Sequence, residues 1–387
     1  MYRMGKEEAD AAARVIMGGE LFKVNEKYCE TEKAEQDMRR IFDVKNALIM
    51  TSGMGALVSA LTALGVGPGD QVIVPAYTYI ATAMAVVAAG AIPVIAEIDD
   101  SLTIDPQDVE RKITSATKAI IPVHIQGFPC NMDEICRIAK KYNLKIVEDA
   151  CQADGGKYHG RRLGTIGDAG ALSFNQFKLI TCGEGGALLT NDDKVYERAL
   201  IYHDSNAVKF FGNQLEGIEE REFCGVEYRT NEVQSAILRE QLKKMDGIID
   251  DLRRIKKKIM DSLAGECKFI KSNDIRGDLA TTVAFAFDSV EEAEKFAELV
   301  NGYRPINTGK HIYDHWTPIL EKRGAYNPMS DPFKMETNKG IVPDYNVNMC
   351  PKTLGFLSNT VYIPLNPDMS DEEVEEIIER CKKASIN

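Results

Sequence analysis

The sequence predicts an α/β protein with a mostly parallel central sheet and a second, smaller domain. The chain has 387 residues, which is long enough for one large and one small domain. Short apolar runs alternate with helical patterns through its first half, and Ser- or Gly-containing turns follow several of these runs. Parallel strands need crossover helices and are buried on both faces, so this alternation favours a sheet with helices on both sides.

Composition argues against several classes of protein. The formal net charge is −12 without a basic stripe, which is typical of proteins that do not bind nucleic acid. The longest apolar runs are too short to span a bilayer, and the first residues are charged and lack a signal core. Nine scattered cysteines predict reduced thiols, so we expect a cytoplasmic protein, and five histidines without metal-ligand spacing predict no metal site.

The elements follow in a regular order. The predicted strands are residues 47–50, 71–75, 92–96, 119–122, 145–149 and 187–190. The predicted helices are residues 5–18, 31–42, 56–64, 81–89, 133–142, 192–200 and 232–250. A polar, glycine-containing stretch at residues 202–222 predicts a loop between the last two helices.

A change of pattern after the long helix predicts two domains. We assign residues 1–250 to an N-terminal arm and a large domain, and residues 251–387 to a small C-terminal domain. In the second part, residues 281–287 predict a strand, and residues 290–300 and 371–384 predict helices. Residues 305–351 are rich in Pro, Asn, Asp and Tyr and predict a long loop.

Residues that could bind a ligand or take part in catalysis lie at predicted strand ends, where ligands of parallel sheets bind. The turn at residues 51–55 leads from a strand into a helix, an arrangement that can bind phosphate through backbone N–H groups. Tyr79 follows a strand, and Asp149 ends one. Together with Lys178 these features supply what pyridoxal phosphate needs: a phosphate cradle, an aromatic ring, a carboxylate for the pyridine nitrogen and an amine.

Lys178 lies between Phe177 and Leu179 and shortly before a glycine cluster. Apolar surroundings favour the neutral amine that a Schiff base requires, and the glycines permit a close approach of the backbone. From these residues alone other interpretations stay open. Lys178 could be a snorkelling surface lysine, Asp149 could cap a helix, and Tyr79 could belong to the core.

Several stretches carry a resemblance to a known family. They are residues 51–53, 74–79, 147–153, 164–168 and 173–186, with residues 228–229 and 234–236 in addition. In these stretches the chain resembles the DegT/DnrJ/EryC1/StrS sugar aminotransferases, which depend on pyridoxal 5′-phosphate. The resemblance implies a type I aminotransferase fold, with a mostly parallel seven-stranded sheet in the large domain and a smaller α/β C-terminal domain.

The resemblance also implies roles for individual residues. Lys178 would form the Schiff base and shuttle the proton, and Asp149 would pair with the pyridine nitrogen. Gln152 would lie near the cofactor O3′, and Tyr79 would stack on the ring. The remaining implied cofactor-binding residues surround the phosphate: Gly53, Met54, Gly55, Ser173 and Asn175.

The implied activity is transfer of an amino group from L-glutamate or L-glutamine to a keto-sugar by a ping-pong mechanism. A nucleotide-linked 3- or 4-keto-hexose is the expected acceptor, with a cyclitol ketone or an eight-carbon keto-acid sugar as alternatives. Family members are homodimers with shared active sites, so the resemblance implies a homodimer. A non-catalytic regulatory protein that binds pyridoxal phosphate is the alternative from another class. A nucleotide-binding oxidoreductase would need a glycine fingerprint that residues 51–55 lack.

One residue departs from the family pattern. The family often has an asparagine before the aromatic-Arg pair, where it reaches the phosphate of the neighbouring subunit's cofactor. This chain has Glu227 there, before Tyr228 and Arg229. A carboxylate is repelled by a phosphate dianion. Either Glu227 turns away and pairs with Arg229, or the phosphate is held differently.

Overall fold

A computed structural model describes residues 2–25, 27–205 and 217–385. Its strands form a seven-stranded sheet and two small two-stranded sheets. The strands are β1 (Asn46–Met50), β2 (Gln71–Pro75), β3 (Ile92–Ala96), β4 (Thr117–Ile120), β5 (Lys145–Asp149), β6 (Lys157–Tyr158), β7 (Arg161–Arg162), β8 (Ala169–Ser173), β9 (Gly186–Thr190), β10 (Thr282–Ala286) and β11 (Thr360–Pro364).

The helices of the described residues cover both faces of the large sheet and build the C-terminal part. They are α1 (Lys6–Gly18), α2 (Glu30–Phe42), α3 (Gly53–Ala63), α4 (Ala81–Ala88), α5 (Pro106–Lys112), α6 (Met132–Tyr142), α7 (Asp193–His203), α8 (Glu232–Ser262), α9 (Val290–Val300), α10 (Thr317–Leu320), α11 (Pro351–Ser358) and α12 (Asp371–Ser385).

The order of strands in the large sheet is β1-β9-β8-β5-β4-β2-β3. Neighbouring strands from β8 to β3 are parallel, whereas β9 is antiparallel to both β8 and β1. The predicted mostly parallel, seven-stranded sheet is therefore confirmed. Because β5 and β8 are parallel neighbours, Asp149 and Ser173 both lie at their carboxyl ends, on the same edge of the sheet.

Most predicted elements are present within a few residues of their expected bounds, but several were missed, among them β8, α5, β11 and α11. Strand β8 has the sequence Ala-Gly-Ala-Leu-Ser, whose small residues show no alternation. Helix α5 is short and begins at a proline after the Asp105 cap. Strand β11 and helix α11 follow the predicted loop at residues 305–351, which contains only short helical turns. The predicted loop at residues 202–222 lies mostly outside the described residues, and α7 extends into its start.

Helix α8 runs without interruption from Glu232 to Ser262 and so crosses the predicted domain boundary. Its buried face includes Leu238, Leu242 and Met245, as the helical pattern predicted. After α8, the β10-β11 sheet packs with α9, and α9 packs against α12. The division into residues 1–250 and 251–387 stays a prediction.

Neither a membrane-spanning helix nor a metal-binding cluster is found in the part of the chain that the structure describes. None of its helices combines the length and the apolar character needed to cross a bilayer. Its histidine, cysteine and acidic residues form no group of three or more that could hold a metal ion. All nine cysteines fall within the described ranges, and none of them forms a disulfide bond there.

Candidate active site

Lys178 lies in the loop between β8 and β9, close to the edge where Asp149 and Ser173 end their strands. Its backbone N–H donates to the carbonyl of Asn175, at 3.1 Å between N and O, and its side chain is half-buried. Leu179 is buried, but Phe177 is 76% exposed. The predicted apolar surroundings are therefore formed on one side of the lysine only.

A cavity of about 340 Å³ opens beside Lys178. It brings together four of the predicted site residues, which lie far apart in the sequence: Tyr79, Gln152, Asn175 and Lys178. The other lining residues were not predicted: Gln126, Asp154, Phe177, Leu179, Leu279, Thr281, Lys310 and His311. The cavity thus joins residues before and within the C-terminal part around one lysine.

Larger depressions exist elsewhere on the molecule. One of about 890 Å³ is lined mainly by acidic residues around Asp193, and a second of about 890 Å³ lies beside Asp99 and Lys268. Neither contains a predicted site residue. The smaller cavity is therefore the candidate active site, because Lys178 and three other predicted site residues line it.

Asp149 is fixed by hydrogen bonds at the end of β5. Its carboxylate is 6% exposed, and its Oδ2 atom accepts from the Thr82 hydroxyl at 2.7 Å. Its Oδ1 atom accepts from the backbone N–H of Cys151 at 3.2 Å. Oδ1 therefore caps a turn and not a helix. Because a carboxylate oxygen can accept more than one hydrogen bond, Oδ1 can accept from a further donor. The geometry suits a carboxylate that receives a ring N–H.

Replacing Thr82 with valine is expected to lower the free energy of unfolding by about 1–3 kcal/mol. The valine would leave the buried Oδ2 atom of Asp149 without its donor, while keeping the size of the side chain. Urea denaturation measures the change. Thr82→Ser keeps the hydroxyl and is the matched control. A Thr82→Val variant as stable as the wild type would show that this hydrogen bond does not contribute to stability.

The predicted phosphate cradle is the N-terminus of α3. Ser52 caps this helix, and its Oγ accepts from the N–H of Gly55 at 3.0 Å. That N–H is thus already partnered, whereas Gly53 and Met54 begin the helix with N–H groups that no helical carbonyl can reach. A helix N-terminus with free N–H groups attracts anions.

Glycines allow this cradle to form against the ends of β8 and β9. A Cβ atom at Gly53 would lie 2.9 Å from Cβ of Ser173 and 2.7 Å from Sγ of Cys151. A Cβ atom at Gly186 would lie 2.3 Å from the carbonyl carbon of Ser52. The turn therefore lies directly on the strand ends, and Ser173 is placed beside the start of α3.

Tyr79 lies at the rim of the cavity and is 46% exposed, so it does not belong to the core. Its ring is 5.8 Å from the ring of His311, at a 55° angle. Burial, with the positive charges of Lys310 and Lys178, lowers the pKa of His311 to about 4. The His311 ring is therefore neutral at physiological pH, and both rings offer uncharged aromatic surface.

The two amides predicted to contact the cofactor are oriented by backbone groups. The Oε1 atom of Gln152 accepts from the N–H of Gln126 at 3.3 Å, which turns its NH₂ group away from that backbone. The Oδ1 atom of Asn175 accepts from the N–H of Phe177 at 3.0 Å. Both side chains remain on the cavity wall.

Glu227, which stands where the family often has an asparagine, turns toward Arg229 and forms an ion pair with it. This is the first of the two alternatives given for this residue. Its Oε2 atom lies 2.6 Å from Nη2 of Arg229, and the same guanidinium binds Asp204. The adjacent Tyr228 carbonyl accepts from the N–H of Thr51 at 2.8 Å, beside the start of α3. The glutamate therefore shares one arginine with Asp204, close to the cradle.

The residues present fit pyridoxal phosphate. The carboxylate of Asp149, the exposed ring of Tyr79 and the amine of Lys178 lie on one edge of the sheet, with the α3 cradle beside them. Each is a group that the cofactor requires.

Comparison with known proteins identifies relatives along the whole chain. The sequence profile of the DegT/DnrJ/EryC1/StrS aminotransferase family matches residues 3–382. The chain is 33% identical over 356 residues to dTDP-3-amino-3,6-dideoxy-alpha-D-galactopyranose transaminase of Aneurinibacillus thermoaerophilus, covering 92% of this chain and 90% of the relative. It is 33% identical to L-glutamine:2-deoxy-scyllo-inosose aminotransferase of Streptomyces kanamyceticus, and the match covers 83% of this chain and 80% of that relative. The crystal structure of S. venezuelae DesV superposes on this chain with a TM-score of 0.76 at 28% sequence identity. The match covers 98% of this chain and 95% of DesV.

Proposed function

Because this chain belongs to the DegT/DnrJ/EryC1/StrS aminotransferase family, we propose that it transfers an amino group from L-glutamate or L-glutamine to a keto-sugar. The enzyme is an aminotransferase that depends on pyridoxal phosphate. The observation that carries this assignment is the placement of the Lys178 amine and the Asp149 carboxylate on one edge of the sheet, with a phosphate cradle beside them.

Each part of the site has a role in holding the cofactor. Bound pyridoxal phosphate supplies an aldehyde for imine formation and a ring that accepts electrons from the substrate carbon. Gly53, Met54 and Ser173 would hold its phosphate at the α3 terminus. Asp149 would keep the pyridine nitrogen protonated, and its bond from Thr82 fixes the carboxylate in position.

Lys178 is the residue that moves the proton. When its amine is free and neutral, Nζ can take up the proton that leaves the substrate carbon and return it nearby. Gln152, oriented by the N–H of Gln126, would hold the cofactor O3′. Tyr79 would lie against the ring and keep water from that face. Asn175 would assist at the phosphate.

A nucleotide-linked keto-hexose is the proposed acceptor. Among the residues that line the cavity, Lys310 is a second cation besides Lys178, and its amine makes no hydrogen bond or ion pair with described residues. An unpaired, exposed lysine at the rim suits an anionic substituent on the sugar. A cyclitol ketone is the second candidate, because one of the relatives is named for such an acceptor.

Lys310→Gln is expected to raise KM for a nucleotide-linked keto-sugar about tenfold and to leave kcat nearly unchanged. The substitution removes one charge-assisted contact that would be the same in the ground state and the transition state. Steady-state kinetics with the charged sugar and with an uncharged cyclitol ketone make the comparison. An unchanged KM for the charged sugar would remove Lys310 from substrate binding.

A two-step assay tests the proposed function. The purified enzyme with bound cofactor is mixed with L-glutamate alone, and the change in its visible absorption is followed with the release of 2-oxoglutarate. Candidate keto-sugars are then added, and the correct acceptor restores the original spectrum. A protein that binds the cofactor but gives no change with either amino donor would be a regulatory protein instead.

The remaining assignments follow from the family and the composition. We propose a homodimer whose active sites are shared across the interface, and a cytoplasmic location. We also propose that residues 1–250 form the cofactor-binding domain and residues 251–387 the small domain. The cavity contains residues from both parts, because Leu279, Thr281, Lys310 and His311 lie after the boundary.

A further inference from the structure

Gln126 lies in the wall of the cavity that Lys178 lines, and the proposed function uses only its backbone. Its backbone dihedral angles are φ 53° and ψ 18°, in the left-handed region. This region is unfavourable for a residue with a Cβ atom, whereas glycine adopts it readily. Of the described residues that line the cavity, Gln126 alone has a positive φ.

Other left-handed residues of this chain have a local reason for that conformation. Asp43, Asn143 and Asn301 follow the last residues of α2, α6 and α9, where a left-handed residue ends the helix. Asp and Asn also have short polar side chains that tolerate this conformation. Gln126 neither ends an α-helix nor has such a side chain. Because unfavourable backbone conformations are concentrated at functional sites, the conformation of Gln126 points to a function.

The backbone of Gln126 is held in place from both sides. Its N–H donates to Oε1 of Gln152 at 3.3 Å, and its carbonyl accepts from the hydroxyl of Thr281 at 2.7 Å. The carbonyl of the next residue, Gly127, accepts from the N–H of Leu279 at 3.1 Å. These bonds join the turn to the C-terminal part of the chain and fix Gln126 in its strained conformation.

The side-chain amide of Gln126 is the part of the residue that is free to bind a ligand. The residue is partly exposed, and its amide makes no hydrogen bond with any described residue. An amide has two N–H donors and a carbonyl acceptor, and it carries no charge. A hydroxyl group, which both donates and accepts, is therefore a suitable partner. The two lysines of the cavity, Lys178 and Lys310, are instead suited to anionic groups.

We propose that Gln126 is a specificity-determining residue whose side-chain amide binds a hydroxyl group of the acceptor keto-sugar. Glycine at this position would relieve the backbone but leave the contact unmade, so the left-handed glutamine gives up stability for recognition. The inference rests on the proposed function, because it requires a keto-sugar as the acceptor. The stability that it predicts for a variant is measured without any substrate.

Gln126→Gly tests the proposal in two measurements. Glycine keeps the backbone N–H and carbonyl that bond to Gln152 and Thr281, so only the amide is lost. For the keto-sugar that restores the wild-type spectrum after L-glutamate, KM is expected to rise about tenfold with kcat nearly unchanged. The half-reaction with L-glutamate is expected to change much less. The full-length variant is expected to unfold at the temperature of the wild type or above it, because the strain is relieved.

Two further variants separate recognition from a general effect on a turn. Gln126→Asn keeps an amide on a residue that tolerates the left-handed region, so its KM is expected between those of the wild type and Gln126→Gly. Asn143→Gly makes a similar backbone change at the exposed end of α6, outside the cavity, and is expected to leave KM unchanged. Acceptors that each lack one hydroxyl group identify the partner: for one of them, the wild type and Gln126→Gly should have equal KM.

Three results would overturn the proposal. They are an equal KM for the full acceptor in the wild type and Gln126→Gly, an equal slowing of both half-reactions, and an unfolding temperature of Gln126→Gly below that of the wild type. The last would show that the glutamine is retained for stability. A wild type that reacts with L-glutamate but with no keto-sugar would instead contradict the proposed function, so the two failures are distinguishable.

Discussion

Lys178→Ala is expected to lower the rate of transamination on the order of 10⁴-fold or more, because the residue proposed to form the Schiff base and to move the proton is lost. Treatment of the wild type with borohydride should attach the cofactor to a peptide that contains Lys178. The variant should show no such adduct by mass spectrometry. An adduct on another lysine in the wild type would remove the central assignment.

Lys310→Met is the matched control for the loss of an amine from the cavity. Lys310 lines the same cavity, but its backbone lies in the C-terminal part and its side chain is exposed. The borohydride adduct should therefore remain on Lys178 in this variant. Thermal unfolding of both variants shows whether either change disturbs the fold.

Asp149→Asn is expected to slow the half-reaction with L-glutamate about 10²- to 10³-fold. An amide keeps the shape, and its single oxygen can still accept from the N–H of Cys151, while its NH₂ group can donate to the Thr82 hydroxyl. It carries no negative charge, so it cannot keep a pyridine nitrogen protonated while charge develops on the ring. Stopped-flow absorption measures the rate of this half-reaction.

The matched control for this charge loss is Asp168→Asn, which alters a carboxylate at the opposite edge of the sheet. Its half-reaction should keep the wild-type rate. If Asp149→Asn also reacts at the wild-type rate, Asp149 serves only to cap the turn after β5.

Elements and site residues could be predicted from the sequence where the pattern that reveals them involves only neighbouring residues. Buried strands such as β2 and β5 contain short apolar runs, Val-Ile-Val in β2 and Ile-Val in β5, so their positions and the parallel sheet could be predicted. Asp149 could be found because it ends such a strand. Strand β8 could not be predicted in this way, because its residues are small and show no apolar pattern. They are small because the strand is closely packed: a Cβ at Gly170 would lie 2.1 Å from the carbonyl oxygen of Gly164.

The residues that sequence reasoning missed depend on contacts between distant parts of the chain. Thr82 bonds Asp149 across a separation of 67 residues, and it appears in the sequence as an ordinary residue of an apolar helix. Asp154 resembles a turn residue before two glycines, and only the fold shows that it is buried in the wall of the cavity that Lys178 also lines. Lys310 and His311 lie in a loop without any periodic pattern, so nothing local relates them to the site.

Addition of pyridoxal phosphate and then L-glutamate to the purified chain tests the central claim most directly. The account predicts that the protein turns yellow with one equivalent of cofactor, then loses this colour with glutamate as 2-oxoglutarate is released in equal amount. A protein that stays colourless with the cofactor, or whose yellow form is unaffected by L-glutamate and L-glutamine, would contradict it.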